Sequence, residues 1–418
     1  MMQTADTNPG HLDLSWLAFD SIIVARTAAL YRNLADSVFP GRASSDELKA
    51  AREKIADACK RLKPAGAAGA GAGAGGMESL AVGDAMWVNV MSARERLLGG
   101  GASKNDRNEI AFFFSDGPVE LIVNDEDHLE FFMNCAEDTF RSAARELGAF
   151  ADMLGRRLRF ASSETFGWLA ANPEHAGLGM RVQQCFCLCG LALTREIDAV
   201  LRGIERIGFE VAPMYDDGAA ADGGAADGAQ PPEFAPGNCY WISPIATPGM
   251  DCGALLDKAE RVFKEIAKIE QNARFALLDD PVLNTSLEDY AMRAAGAGAG
   301  AQMATEAECV DLRAALEFAL DMGVFAGGKR AEERDMLYNE LRKLVAILGL
   351  YEEVLQKDIA AGGALSEDEL ETSKKRFFAN CIKQDFLDVL PEWLDKVSAP
   401  PEGLGGAKKS KNTKKRRK

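Results

Sequence analysis

An α+β body followed by an all-helical C-terminal region is the architecture this sequence predicts, and three observations predict it. Ile110–Ser115 and Val119–Val123 are short apolar runs on either side of Asp116-Gly117-Pro118, the pattern of a β-hairpin. Ala254–Leu278 repeats Leu256, Ala259, Phe263, Ile266 and Ala273 at helical spacing. From Ser286 onward only helical periodicity appears. Strands and helices segregated in this way belong to an α+β architecture.

The remaining elements follow in chain order. Ser44-x-x-Glu47 is a capping box ahead of Leu48, Ile55, Cys59 and Leu62, which predicts a helix ending near Lys63-Pro64. After the hairpin, Leu129, Phe132, Met133, Ala136, Phe140, Ala144, Leu147 and Phe150 share one face of a long expected helix. Arg181–Leu191 alternates, Thr194–Ile207 is helical, and Asn238–Pro244 is a short strand. Three low-complexity stretches, Ala65–Gly76, Asp216–Gln230 and Ala294–Ala301, bury nothing that offsets chain entropy and are expected to be surface insertions.

Composition bounds the function. The 418 residues are 47% hydrophobic and 27% charged, which excludes wholesale disorder and suggests two domains. Lys and Arg total 48 against 64 acidic residues, but eight basic residues crowd into Ala407–Lys418, so the rest of the chain holds 40 against 64, a charge of −24. An acidic body does not neutralise a phosphate backbone, so a nucleic-acid role would rest on the tail alone. The longest apolar run near the cysteines, Cys185–Thr194, is about half of what a membrane helix needs, so no membrane partner is expected. Nine cysteines without a CxxC read as reduced and cytoplasmic.

Few motifs carry chemistry by themselves. Cys185, Cys187 and Cys189 would share one side of a strand, but no second Cys or His cluster accompanies them, so buried small hydrophobes explain them better than a metal, and none is expected. Gly177-x-Gly179 does not follow a strand and open a helix, which argues against a dinucleotide fold. Asn124–Leu129 (NDEDHL) places three carboxylates and a histidine after a predicted strand, as a reactive cluster or as an acidic helix start favoured by the macrodipole. Asp216 and Asp217 open an acidic loop that solubility alone would explain.

Six segments in order carry a resemblance: ARTAALYRNLADSVFPGR (25–42), FFFSDGPVELIVNDEDHL (112–129), ETFGWLAANPEHAGLGMR (164–181), IGFEVAPMYDDG (207–218), GNCYWIS (237–243) and LRAALEFALDMGVF (312–325). Together they resemble the bacterial protein arginine kinases of the ATP:guanido phosphotransferase family, collinearly from about residue 20 to 350. The resemblance implies a guanido-kinase-like catalytic domain over 14–280, with a curved antiparallel sheet and flanking helices, then an all-helical C-terminal domain over 281–396; composition predicts a disordered basic tail over 397–418. It also implies transfer of the γ-phosphoryl of Mg-ATP to an arginine guanidinium. Such transfer depends on alignment and charge neutralisation by arginines, with carboxylates orienting the guanidinium.

Position by position, the carried-over site is broken. The resemblance places two phosphate-binding arginines at Thr27 and Ala29, a third at Glu130 and a fourth at Ala212, with Arg26 one residue off register. Arg181 is the nucleotide arginine that survives. One catalytic glutamate is kept as Glu126, the second becomes Asp217, and the family's cysteine becomes Asn172. Charge-assisted hydrogen bonds contribute roughly 1.5–3 kcal/mol each, so four lost arginines remove about 6 kcal/mol or more of phosphate binding, on the order of 10⁴-fold in affinity. Arg26, Arg32 and Arg181 remain as candidates for a rebuilt cluster, although Arg32 aligns outside the phosphate set. The helical domain's Arg-Asp phosphoarginine pair would fall at Leu370 and Glu371.

The leading reading is a divergent, catalytically impaired pseudokinase with a binding or regulatory role and no cofactor. Its partner would be a protein, with the helical domain as a homodimer surface. The alternative is an active, Mg-ATP-dependent phosphotransferase with protein-arginine substrates, using Glu126, Asp217 and Arg181. A third is a nucleic-acid-associated protein acting through its basic tail.

Overall fold

The computed structural model describes residues 22–60, 78–81, 111–114, 119–135, 139–215, 235–247, 249–325 and 366–389. The basic tail, the first two low-complexity stretches and Asp217 lie outside them. The order of elements is β1 (Ile23–Arg32), α1 (Ser45–Lys60), β2 (Glu78–Ala81), β3 (Ala111–Phe114), β4 (Val119–Val123), β5 (Leu129–Asn134), α2 (Phe140–Gly155), β6 (Ser162–Ser163), β7 (Gly167–Trp168), β8 (Met180–Cys187), α3 (Cys189–Leu193), α4 (Ile197–Arg206), β9 (Phe209–Pro213), β10 (Cys239–Pro244), α5 (Cys252–Asp279), α6 (Pro281–Gly300), α7 (Glu306–Asp321) and α8 (Glu367–Val389). Eight strands form an antiparallel sheet in the order β2-β3-β4-β5-β1-β8-β10-β9, and β6 and β7 form a separate two-stranded ribbon. This is the α+β architecture that the sequence predicts.

Alternation of side chains across each strand gives the sheet two different faces. Ala28, Leu30, Phe131, Val182 and Ile242 point into the main core, where α1, α2 and α5 cover them through Ile55, Leu147 and Phe263. On the opposite face, Cys185 and Trp241 meet Leu277 of α5, Leu287 of α6 and Phe318 of α7. A third core, of Ala295, Leu316, Ala319, Phe378 and Ile382, joins α6, α7 and α8.

Two sequence expectations change. Leu129–Asn134 is strand β5 and not the start of a helix, which begins at Phe140 behind the Thr139 cap. In β5, Leu129, Phe131 and Met133 alternate into the core while the backbone pairs with both β1 and β4, and those two ladders outweigh the helical spacing. NDEDHL is therefore a strand-to-strand turn, entered by Asn124 at φ 62°, so the macrodipole reading does not apply. Ala294–Gly300, expected to be a loop, is the last part of α6, with Ala294, Ala295 and Gly298 buried. Its small side chains allow close packing against α7 and α8. The expected capping box is present, Ser44 N donating to Glu47 Oε2 at 2.8 Å.

An ion pair with no exposed side-chain surface joins the two halves. Arg274 Nε donates to Glu270 Oε1 at 2.8 Å, and the Glu270 carboxylate also accepts from Gly190 N at 2.8 Å and Leu191 N at 2.9 Å, the opening of α3. Arg274 reaches Cys187 O at 3.4 Å, Asp321 of α7 at 3.9 Å and the Phe318 ring at 5.0 Å. A Cβ at position 190 would meet Glu270 Oε1 at 2.8 Å, which explains the glycine.

Breaking a buried pair by removing one partner costs about 3–5 kcal/mol, whereas replacing both with apolar groups is far less damaging. Glu270→Ala is expected to lower the unfolding free energy by that amount in urea titrations, and Glu270→Leu with Arg274→Met by clearly less. Equal losses would show that the stranded Arg274 charge is not the cause.

Candidate functional site

The register of four strands gathers the positions singled out in the sequence. In β1, Thr27 pairs with Gln183, Ala29 with both Arg181 of β8 and Phe132 of β5, and Tyr31 with Glu130 of β5. Farther across, Trp241 pairs with both Cys185 of β8 and Ala212 of β9, and Ser243 pairs with Glu210. Directly opposed residues project to the same side. Thr27, Ala29, Glu130, Arg181 and Ala212 thus share one face, on which Thr27 is 1% exposed and Ala29 6%.

The arginines do not converge there. Arg181 Nη2 donates to Glu210 Oε2 at 2.8 Å, with its Nε 3.4 Å from Ser243 Oγ, so the cation is already matched. Arg26 pairs with Gln184 across β1 and β8, on the opposite side from Thr27, and its Nε donates to Gln184 Oε1 at 3.1 Å. Arg32 is buried, donating to Tyr31 O at 2.7 Å and Gly179 O at 3.3 Å while its guanidinium lies over Trp168 at 4.1 Å; burial lowers it to about 10. Gly179, at φ 59°, lacks the Cβ that would collide with Arg32 Nη1. Arg26 and Arg32 therefore do not rebuild the cluster.

Carboxylates dominate the turn between β4 and β5. Glu126 reaches solvent, yet desolvation by its surroundings and the charge of Glu130 push its carboxyl up, opposed by Arg181. Asp127, 1% exposed and given no role from sequence, is pushed up to about 6 by burial. Its Oδ1 accepts from Ala171 N at 2.7 Å and from Asn33 Nδ2, while its Oδ2 is buried with no hydrogen-bond partner among the described residues. Asn33 Oδ1 in turn meets His128 Nδ1 at 2.8 Å and accepts from His128 N at 3.0 Å; burial lowers His128 to about 4.

The β7–β8 connection supplies two more groups. His175 stacks flat on Tyr31, with ring centroids 4.2 Å apart, and burial followed by the nearby Arg181 charge lowers it to about 4. Asn172, where the resemblance places a thiol, turns inward to accept from Glu174 N at 2.9 Å and caps its own loop. His175 Nδ1 and Gln183 Oε1 are buried without partners among the described residues. Leu370 lies in α8, and Glu371 in the same helix is exposed and pairs with Lys375 at 3.5 Å. No group of three or more His, Cys, Asp or Glu among the described residues is arranged to hold a metal. A nucleotide triphosphate requires several donors, and one arginine already neutralised by Glu210, facing Glu126 and Glu130, does not fit it.

Residues 83–230 match the model of the ATP:guanido phosphotransferase C-terminal catalytic domain, so the chain is similar to that family across this stretch. Its relatives include protein-arginine kinases. That of Clostridium novyi is 22% identical over 77% of this chain and 87% of the relative, and that of Shouchella clausii is 23% identical over 72% and 78%. Among solved structures, the duplicated taurocyamine kinase from Schistosoma mansoni is similar at TM-score 0.46 and 15% identity, covering 60% of this chain and 33% of that one. No helix among the described residues is long and apolar enough to cross a membrane.

Asp127 gives the site a pH signature. Its folded pKa of about 6 lies above the ordinary 3.8, so the folded protein carries no penalty below pH 3.8, gains one as pH rises to about 6, and holds it constant above. Asp127→Asn cannot ionise. Between pH 4 and 7 the stability difference is expected to move in the variant's favour by about 2 kcal/mol. A pH-independent difference in urea unfolding would refute a protonated Asp127.

Proposed function

We propose that this chain keeps the guanido-phosphotransferase fold as a receptor for arginine side chains of a protein partner and has lost phosphoryl transfer from Mg-ATP. The observation that carries this reading is the Arg181–Glu210 pair on a face that also bears Glu126 and Glu130. A triphosphate offers only acceptors, and this face offers mainly acceptors in return. A guanidinium offers five donors and no acceptor, and it stays charged at any ordinary pH. One carboxylate that the resemblance assigns to the guanidinium is kept as Glu126, with the second shortened to Asp217, whereas four of the phosphate arginines are replaced. Arginine on a protein is the substrate named by the relatives, which is why a protein ligand is preferred over a free guanidino compound.

Calorimetry with an arginine-containing peptide and its lysine counterpart tests the reading. Saturable binding is expected for the arginine peptide, weakened roughly tenfold or more by Glu126→Gln or Glu130→Gln, since a charge-assisted bond contributes about 1.5–3 kcal/mol. Mg-ATP should produce no thermal shift. Glu130→Arg combined with Glu210→Gln should introduce measurable nucleotide affinity by adding one cation and releasing another. Transfer of labelled phosphate from γ-labelled ATP to arginine by the unaltered chain would overturn the proposal.

A further inference from the structure

The sequence reading left Cys185, Cys187 and Cys189 as buried hydrophobes for want of a second cluster. The fold supplies a fourth thiol. Cys239, at the start of β10, is directly opposite Cys187 at the end of β8. Cys189, the first residue of α3, turns back so that its Sγ lies 3.5 Å from that of Cys187. The thiols of Cys189 and Cys239 also converge on one carbonyl, Gly237 O, at 3.5 and 3.3 Å.

Backbone geometry separates the two ways of joining these sulfurs. Cys187 N donates to Ile22 O, toward β1, and Cys239 O accepts from Met214 N, toward β9. Neither residue spends these groups on the other, so Cys187 and Cys239 form a non-hydrogen-bonded antiparallel pair. Such pairs place Cα atoms about 4.5 Å apart, within the roughly 4.4–6.8 Å that a disulfide spans. The strands need not move to accept the bridge. Cys187 and Cys189 are two residues apart across a strand-to-helix corner, a tighter ring to close.

We propose that Cys187 and Cys239 form a redox-active dithiol that hydrogen peroxide converts to a cross-strand disulfide, with Cys189 as the neighbouring exchange thiol. In the first step the Cys187 thiolate attacks one peroxide oxygen. The O–O bond breaks, the other oxygen leaves as water after taking a proton, and Cys187 carries a sulfenic acid. In the second step Cys239 sulfur attacks Cys187 sulfur, giving up its proton. The S–O bond breaks, a second water leaves and the S–S bond forms. Two thiols are oxidised and one peroxide is reduced. Contact with the Cys189 and Cys239 thiols, opposed by burial and aided by the Arg274 charge, holds Cys187 well below the ordinary thiol range, so it is the attacking member. Leu277, Leu287 and Phe318 cover the group, which restricts the oxidant to small peroxides.

The position gives the bridge structural reach. It would tie β8, which carries Arg181, to β10, which pairs with the strand carrying Glu210 and Ala212. It also lies beside Gly237, at φ 68°, where a Cβ would stand 2.8 Å from Ala314 of α7.

The full chain, reduced and then exposed to hydrogen peroxide, is denatured in alkylating agent and mapped by mass spectrometry. The expected product is two mass units lighter, with a single peptide pair linked through Cys187 and Cys239, and it melts at higher temperature than the reduced chain. In Cys239→Ser the link should transfer to Cys189. Full alkylation of Cys187, Cys189 and Cys239 after peroxide, or links confined to the partly exposed Cys252 and Cys381, would overturn the proposal. The map of the unaltered chain decides the question even if the variant does not fold.

Discussion

Glu270 and Arg274 lie one helical turn apart on α5, fully enclosed, and three segments distant in sequence close around them. The β8–α3 corner gives Glu270 two amide donors, and α7 gives Arg274 a carboxylate and an aromatic face. Removing two charges from water is costly unless each remaining donor and acceptor is used. Those donors exist only if β8 turns at Gly190 and α7 packs where Asp321 and Phe318 meet Arg274. The pair therefore fixes one arrangement of sheet and helices and penalises others, a role in specificity beyond its contribution to stability. Burial pushes the Glu270 carboxyl up while the Arg274 charge pulls it down, so the carboxylate depends on its partner to stay ionised.

The same corner sets the edge of the candidate site. Back along β8 from its corner with α3, alternate side chains are Cys187, Cys185, Gln183 and Arg181, passing from the thiol group to the charged face beside β1 and β9. The apolar end is filled by the helices and the polar end is left with more acceptors than donors. One strand thus meets two environments because the helices cover only part of that face.

Much of this was legible beforehand. The β3–β4 hairpin, the Ser44 capping box and the long α5 all rest on short-range patterns that the tertiary structure does not contradict. β5 was not legible, because Leu129, Phe132, Met133 and Phe140 satisfy helical spacing as well as Leu129, Phe131 and Met133 satisfy alternation. Only hydrogen-bonding partners on both sides decide between them. The Ala and Gly of Ala294–Gly300 carry opposite meanings in a linker and in a close helix contact, and the neighbours that distinguish the two lie in α7 and α8. For the site, the family resemblance marked Thr27, Ala29, Glu130, Arg181 and Ala212, and the sheet register places all five on one face. Glu210 went unmarked because nothing local signals that a carboxylate on β9 will meet Arg181. Asp127, His128 and Asn33 form their network across 94 and 95 residues of separation, beyond any spacing rule.

The missing arginines and the surviving fold are linked by volume as well as charge. Thr27 and Ala29 stand on the central strand with almost no exposed surface, and Ala29, Tyr31 and Phe132 form a small apolar cluster against Ala170. His175 closes over Tyr31 in flat contact. A guanidinium projecting from position 29 would have to displace that cluster. Glu210 fits the same account, since its carboxylate balances Arg181 on that face. Building a phosphate site on this face would require packing and charge to change together, because the apolar cluster at position 29 and the Glu210 partner of Arg181 both stand in its way.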